Sequence, residues 1–193
     1  MAFWSDTQVA DPKRQHRWIV DISAPEVKGY IQYVCKSVAK PKMTVGETEH
    51  KFINHTFYYP GGVTYDPITV TLVDPANPSS TQALYDLIQV SGYRLPNQIQ
   101  DFSPTTGAGN LDVSTISKRK GVGALLGCKI SQMNGDGQLI EEITLNNAWI
   151  KSVDFGSDLS YENEDLVEIS LELRFDYFTM KTIYPDLNSS PNS

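Results

Sequence analysis

Residues 167–177 read Val-Glu-Ile-Ser-Leu-Glu-Leu-Arg-Phe-Asp-Tyr, apolar and polar in strict alternation. Successive side chains on a strand point to opposite faces, so this period makes one face apolar and the other wet. A helix would scatter the same residues around its circumference. The run therefore predicts a long strand over residues 167–177 with Val167, Ile169, Leu171, Leu173, Phe175 and Tyr177 on a core. A strand of this kind needs partners and a second layer to cover its apolar face.

Further strands surround it. Trp18, Val20 and Ile22 alternate with Arg17, Asp21 and Ser23. Residues 30–36 are rich in aromatic and β-branched side chains, and Lys40-Pro41 ends that segment. Ile68, Val70 and Leu72 alternate with Thr69 and Thr71. Residues 128–133 and 138–146 flank Asn134-Gly135-Asp136-Gly137, whose Asn-Gly and Asp-Gly steps favour the positive φ of tight hairpin turns. Residues 147–155 supply another strand with Trp149 and Val153 on one face.

One helix is legible. Ser79 or Ser80 is a suitable N-cap, Gln82 follows Ser79 at capping-box spacing, Leu84, Leu87, Ile88 and Ser91 share a face, and Gly92 is a stop signal. The fold class is mainly β, an antiparallel sandwich or barrel with one helix and long projecting arms. Residues 1–15 form an N-terminal arm, 16–180 the β domain and 181–193 a flexible tail. Within the domain, residues 42–67 read as an extended hairpin or arm, and the turn-rich residues 93–121 as a loop insertion. The extended arm carries Val45, Phe52, Ile53, Phe57, Tyr58 and Tyr59, which need a covering surface if the arm stands in solvent.

Charge narrows the function. The chain has 193 residues and a formal net charge of −7. Residues 134–178 hold 11 acids against Lys151 and Arg174, a net of −9, and the rest of the chain is +2. Such a balance argues against a broad phosphate-gripping surface, which needs clustered Lys and Arg. The basic triplet Lys118-Arg119-Lys120 is a solvated loop or a contact between subunits.

No arrangement argues for catalysis, and no cofactor or metal is implied. His50 and His55 are five residues apart, which suits neither the i, i+4 spacing of a helix nor the i, i+2 spacing of a strand. Gly121-Val122-Gly123-Ala124-Leu125-Leu126-Gly127 resembles a phosphate loop faintly but lacks the Gly-Lys-Ser/Thr ending and a surrounding βαβ unit. Cys35 and Cys128 have no recognisable base beside them, and two free thiols are favoured over one disulfide. The N-terminus has no signal-peptide core and no apolar run has membrane-helix length, so the expectation is a soluble protein without a membrane anchor.

Three segments in order resemble the tail tube proteins of contractile-tailed bacteriophages. The first is Trp18-Ile19-Val20-Asp21-Ile22 followed by Tyr33-Val34-Cys35-Lys36-Ser37-Val38-Ala39-Lys40-Pro41. The second runs from Thr64-Tyr65-Asp66-Pro67 through Ile68 to Asp74 and into the helix around Leu84. The third starts at Ile143 and Trp149 and ends in the alternating run to Phe178. Residues 94–120 do not align with that pattern.

The resemblance implies a β-sandwich or barrel whose copies form hexameric rings stacked into a tube within a sheath. The fold is shared with type VI secretion tube proteins and baseplate tube initiators. The implied partners are further copies of the chain, the sheath protein, baseplate and tail terminator proteins, and a tape measure protein and DNA in the lumen without specific binding. The implied location is the virion tail, assembled in the host bacterial cytoplasm. On that reading Glu168, Ser170, Glu172, Arg174 and Asp176 face the channel, where net negative charge lets DNA slide. The alternative for these five is a sheath-facing or buried subunit contact. Val45, Phe52, Ile53, Phe57, Tyr58, Tyr59, Lys118, Arg119 and Lys120 then contact neighbouring subunits or rings. Two other readings stay open: a baseplate initiator or secretion-system tube protein, and a monomeric β-barrel that binds a small ligand.

Overall fold

The computed structural model describes residues 12–24, 34–96, 115–156, 159–162 and 164–183. Residues 1–11 of the arm, 30–33 of the expected strand over 30–36, 97–114 of the insertion and 184–193 of the tail lie outside the described residues.

Among the described residues, ten strands and two helices follow one another in the order β1 (Trp18–Ser23), β2 (Cys35–Val38), β3 (Met43–Phe52), β4 (His55–Tyr65), β5 (Ile68–Val73), α1 (Ser80–Val90), α2 (Lys118–Leu125), β6 (Gly127–Met133), β7 (Leu139–Asn146), β8 (Trp149–Asp154), β9 (Glu168–Arg174) and β10 (Tyr177–Thr182). They build two four-stranded sheets, β1-β6-β7-β10 and β2-β5-β9-β8, and a separate two-stranded sheet, β3-β4. Every pairing is antiparallel. The mainly β, antiparallel architecture agrees with the sequence reading.

Period two makes the core. Val20 and Ile22 of β1, Cys128 and Ile130 of β6, and Ile143 and Leu145 of β7 turn inward from the first sheet. Ile68, Val70 and Leu72 of β5 and Ile169, Leu171 and Leu173 of β9 meet them from the second. Leu84 and Leu87 of α1 and Ala124 and Leu125 of α2 complete the same cluster.

The alternating run is not one strand. β9 ends at Arg174, and β10 begins at Tyr177 in the other sheet. At the crossing, the Asp176 N–H donates to the Asn146 carbonyl at 3.0 Å. Phe175 is buried and packs with Phe178 and Tyr65, with ring centroids 5.7–6.4 Å apart. In–out parity shifts at the bend: Tyr177, placed on the core by the alternation, is 48% exposed, and Phe178 packs against the core instead, because β10 belongs to the other sheet. β10 also runs to Thr182, so the ordered domain continues past the boundary at residue 181.

A second helix replaces the end of the expected loop insertion. Lys118, Arg119 and Lys120 form the first turn of α2, behind an N-cap in which Ser117 Oγ accepts from the Lys120 N–H at 3.3 Å. Gly121 and Gly123 of the run that resembled a phosphate loop lie in this helix, and Gly127 opens β6. A Cβ on Gly121 would sit 3.3 Å from the Trp149 Cβ, so the glycine permits close packing of α2 on β8. In α1, Ser79 is the cap and accepts from the Gln82 N–H, but the Gln82 side chain donates to Asp86 instead of returning to the cap. Asp74 takes over that end, accepting from the Ser80 and Thr81 N–H groups and the Thr81 hydroxyl. The Asn134 side chain closes the β6–β7 turn by accepting from the Asp136 and Gln138 N–H groups, with Gly137 at φ +76°.

Leu171 lies in mid-β9 and is fully buried. Its replacement by Ala is expected to cost about 2–5 kcal/mol through lost burial and a residual cavity, read as a lowered urea midpoint with an unchanged slope.

Candidate functional site: exposed hairpin, charged sheet face and apolar pocket

The β3–β4 hairpin is the most exposed part of the described structure. All 10 residues of β3 are exposed, as are all residues of β4 except Tyr65. Strands of this length span about 33 Å at ~3.3 Å per residue. Isolated two-stranded ribbons are marginal in water, yet this one exposes Val45, Phe52, Ile53, Phe57, Tyr58 and Tyr59, with Ile53 85% exposed at the tip.

Register divides these side chains between two faces. Val45 pairs with Val63 and Met43 with Tyr65 near the base, whereas Phe52 pairs with His55, His50 with Phe57 and Thr48 with Tyr59 near the tip. Gly61 and Gly62 together oppose Gly46 in a bulge between the two halves. Counting alternately through it, Met43, Val45, Val63 and Tyr65 share a face with Glu47, Glu49, Lys51 and Tyr58. Phe52, Phe57 and Tyr59 occupy the other face with His50 and His55. The apolar surface thus changes sides midway along the ribbon. The Gly61 Cβ position is 3.3 Å from the Gly46 backbone, so a side chain there would crowd the bulge.

The polar face of β9 carries Glu168, Ser170, Glu172 and Arg174, and Asp176 follows at the corner. These acids are not bare. Lys36 of β2 pairs with Glu168, and Lys151 of β8 pairs with Glu172 at 2.8 Å. Lys118 of α2 pairs with Asp176 at 2.7 Å. The Ser152 hydroxyl also donates to Glu172, and the Asn147 amide to Asp176. Hydrogen bonds from Lys151 and Ser152 hold the Glu172 carboxyl below its ordinary value, and those from Lys118 and Asn147 do the same for Asp176. With Asp154 and Arg174 included, the sheet face balances its carboxylates with cations. The negative excess read along the strand is cancelled by lysines distant in sequence.

Glu141 was not singled out by sequence reasoning. It lies on β7, 5% exposed, between the sheets. Lys13 of the N-terminal segment and Lys40 both pair with it, Lys40 at 2.7 Å. Lys40 also donates to the Gln132 side chain. Burial raises the Glu141 carboxyl, but hydrogen bonds and charge from Lys13 and Lys40 outweigh that and hold it below the ordinary value. The only sequence signal was two basic segments and one acid, scattered over more than a hundred residues.

A cavity of about 610 Å³ opens at the hairpin base. Val63, Ile88, Ile116, Trp149, Ile150 and Phe175 give it apolar walls, with Lys118, Arg174 and Asp176 at polar positions. Both cysteines are free thiols. Burial pushes Cys35 to about 11 and Cys128 to about 12, which removes nucleophilic thiolate at neutral pH. Among the described residues no cluster of three or more His, Cys, Asp or Glu could hold a metal. No helix among them is long and apolar enough to cross a membrane.

No family model and no curated protein sequence matches this chain. Solved structures do. A chain of the anti-feeding prophage cap, the tube-terminating cap, aligns with TM-score 0.61 at 16% identity over 95% of this chain and 100% of that one. The chain has a tail-tube-like fold. A chain of the sheath/tube terminator of the PVC extracellular contractile injection system aligns with TM-score 0.60 at 19% identity, covering 90% of this chain and 99% of that one. A chain of the extended PVC sheath–tube complex gives 0.59 at 17%, covering 89% and 93%.

The folded Glu141 carboxyl titrates below its unfolded value of about 4.3. Its contribution is therefore complete above that pH and is lost as pH falls through the folded value. Glu141→Gln is expected to lose about 1–3 kcal/mol at neutral pH. The gap from the parent should close in acid, measured by urea unfolding from pH 7 down to pH ~3.

Proposed function

We propose that this chain is a structural subunit of a contractile-tail-type tube, assembling with its own copies into stacked hexameric rings that form the inner conduit of a sheathed particle. The observation that carries this reading is the β3–β4 hairpin. On a fold shared along nearly its whole length with chains of sheath–tube and tube-cap assemblies, it exposes aromatic side chains on a ribbon that no other described element covers. Apolar patches of that kind mark contact surfaces, and head-to-tail contacts between copies close into rings or continue as tubes. The role is structural rather than enzymatic.

Electron microscopy of the purified protein tests the reading: rings or tubes are expected, and a monomer at high concentration would reject it. Replacing residues 43–65 by a short turn should leave soluble monomers or single rings. Unchanged tubes after that deletion would remove the hairpin from the assembly.

In the tube of a phage tail, Glu168, Ser170, Glu172, Arg174 and Asp176 line the lumen on this proposal. Their ion pairs support passage of DNA without adhesion, since lysines held by carboxylates are poor phosphate grips. Glu172→Lys combined with Asp176→Lys breaks two pairs and leaves cations facing Lys151 and Lys118. Such tubes should still assemble but release DNA more slowly in a single-particle ejection assay; a density map with these side chains on the outer wall would overturn the assignment.

A second reading, a terminal ring at the cap or baseplate, is favoured by the likeness to the tube-terminating cap and to a chain of the anti-feeding prophage baseplate (TM-score 0.59, 14% identity). Copy number per particle separates the two, because a terminal ring occurs once and a tube subunit many times.

A further inference from the structure

We infer that residues 12–17 form a detachable strap, closed over one open end of the two sheets and held there through the Glu141 carboxylate. The inference goes beyond the tube reading and does not depend on it.

Two features mark the segment as a strap. First, it borders a cavity rather than a packed surface. Lys13 and Gln15 line a space of about 520 Å³ walled by Trp18, Ile130 and Ile143 of the first sheet and Val38 of the second. Second, apolar burial does not hold it. Residues 12–16 are exposed, and no side chain of residues 12–17 belongs to the hydrophobic cluster. The contacts that dock it are polar. The Gln132 amide donates to the Arg14 carbonyl at 3.2 Å, the Met133 N–H donates to the Arg17 carbonyl at 3.0 Å, and Lys13 pairs with Glu141.

These anchors converge on one carboxylate. Glu141 also pairs with Lys40 at 2.7 Å, and Lys40 donates to the Gln132 side chain at 2.9 Å. The strap, β7 of the first sheet and the residue just beyond β2 of the second sheet therefore share Glu141. It is 5% exposed, so leaving its charge unpaired would be costly. Lys13 can leave without that cost, because Lys40 stays behind. A segment anchored in this way opens on its own, without unfolding the sheets beneath it.

The charges around the latch set its response to acid. Lys36 of β2 also lines the cavity and is paired with Glu168. From β10, Thr182 stands opposite Glu141 and brings no charge. Glu142, next along β7, pairs with Lys129. Arg14, His16 and Arg17 lie on the strap itself. The Glu141 carboxyl titrates below its ordinary value. The strap is therefore closed at neutral pH and opens as pH falls through that lowered value.

Limited trypsin digestion of the full chain at neutral pH tests this, with cleavage after Arg14 followed by mass spectrometry. Lys13→Gln and Glu141→Gln should each raise that rate roughly tenfold to a hundredfold, the range that loss of a charged hydrogen bond spans. The rise should not depend on urea below the unfolding transition, because a local opening exposes little surface. Lys40→Gln leaves Lys13 on Glu141 and should be cut at near the parent rate. If Glu141→Gln does not fold, Lys13→Gln carries the test, since it leaves the buried carboxylate paired with Lys40. Parent-like cleavage of folded Lys13→Gln would overturn the strap. So would a rate that climbs with urea in step with global unfolding, or a Lys40→Gln chain cut as fast as Lys13→Gln. None of these results bears on the tube reading, which electron microscopy decides separately.

Discussion

Strand β9 is the constraint on which the rest depends. It pairs with β5 on one side and β8 on the other, and its inward side chains Ile169, Leu171 and Leu173 are completely buried. One-residue slippage would exchange these for Glu168, Ser170 and Glu172. Burying those acids without partners is far costlier than any gain in hydrogen bonding, so register is fixed from both sides. Beyond Arg174 the chain leaves for the other sheet, and Phe175 plugs the corner against Tyr65 and Phe178. Both sheets and the hairpin base are thereby tied to one segment.

The hairpin has the opposite character. The domain contributes little to it beyond the anchorage of Tyr65, and the long exposed ribbon keeps its aromatic side chains in water. A core-facing strand reduces its free energy within the chain. No other described element covers this ribbon, and on the proposed tube reading its apolar side chains are buried against further copies of the chain. The glycine bulge that separates them also raises local twist and bends the ribbon, so it sets the direction in which the tip points.

Legibility in the sequence followed the range of the interaction. β1, β5, β7 and β9 were visible because alternation is local. α1 was visible because a cap, a periodic face and a glycine stop lie within fourteen residues or so of one another. α2 was not: Gly121 and Gly123 weaken its propensity, and it is held by the Ser117 cap and by packing on Trp149, which no local pattern reports. The bend at Phe175 was hidden because Tyr177 continues the apolar–polar alternation in sequence although its side chain is exposed, and the change of sheet is set by pairing with β7, which no local pattern reports. Among candidate site residues, the aromatic hairpin side chains were identified by type and exposed as expected. Lys118, Arg119 and Lys120 were found on a helix rather than a loop, and the burial of Glu141 against Lys13 and Lys40 had no local signal.

The acidic stretch shows where the boundary falls. By itself the sequence determined that Glu168, Glu172 and Asp176 stand on the wet side of an alternating segment, because alternation and burial cost are properties of neighbours along the chain. Only the tertiary structure decided that Lys36, Lys151 and Lys118 meet them. Coulomb attraction depends on distance in space, and strand order in a sheet brings residues more than a hundred positions apart to within a few ångströms. The net charge of the chain was thus readable from composition, while the charge balance of this sheet face was a product of the fold.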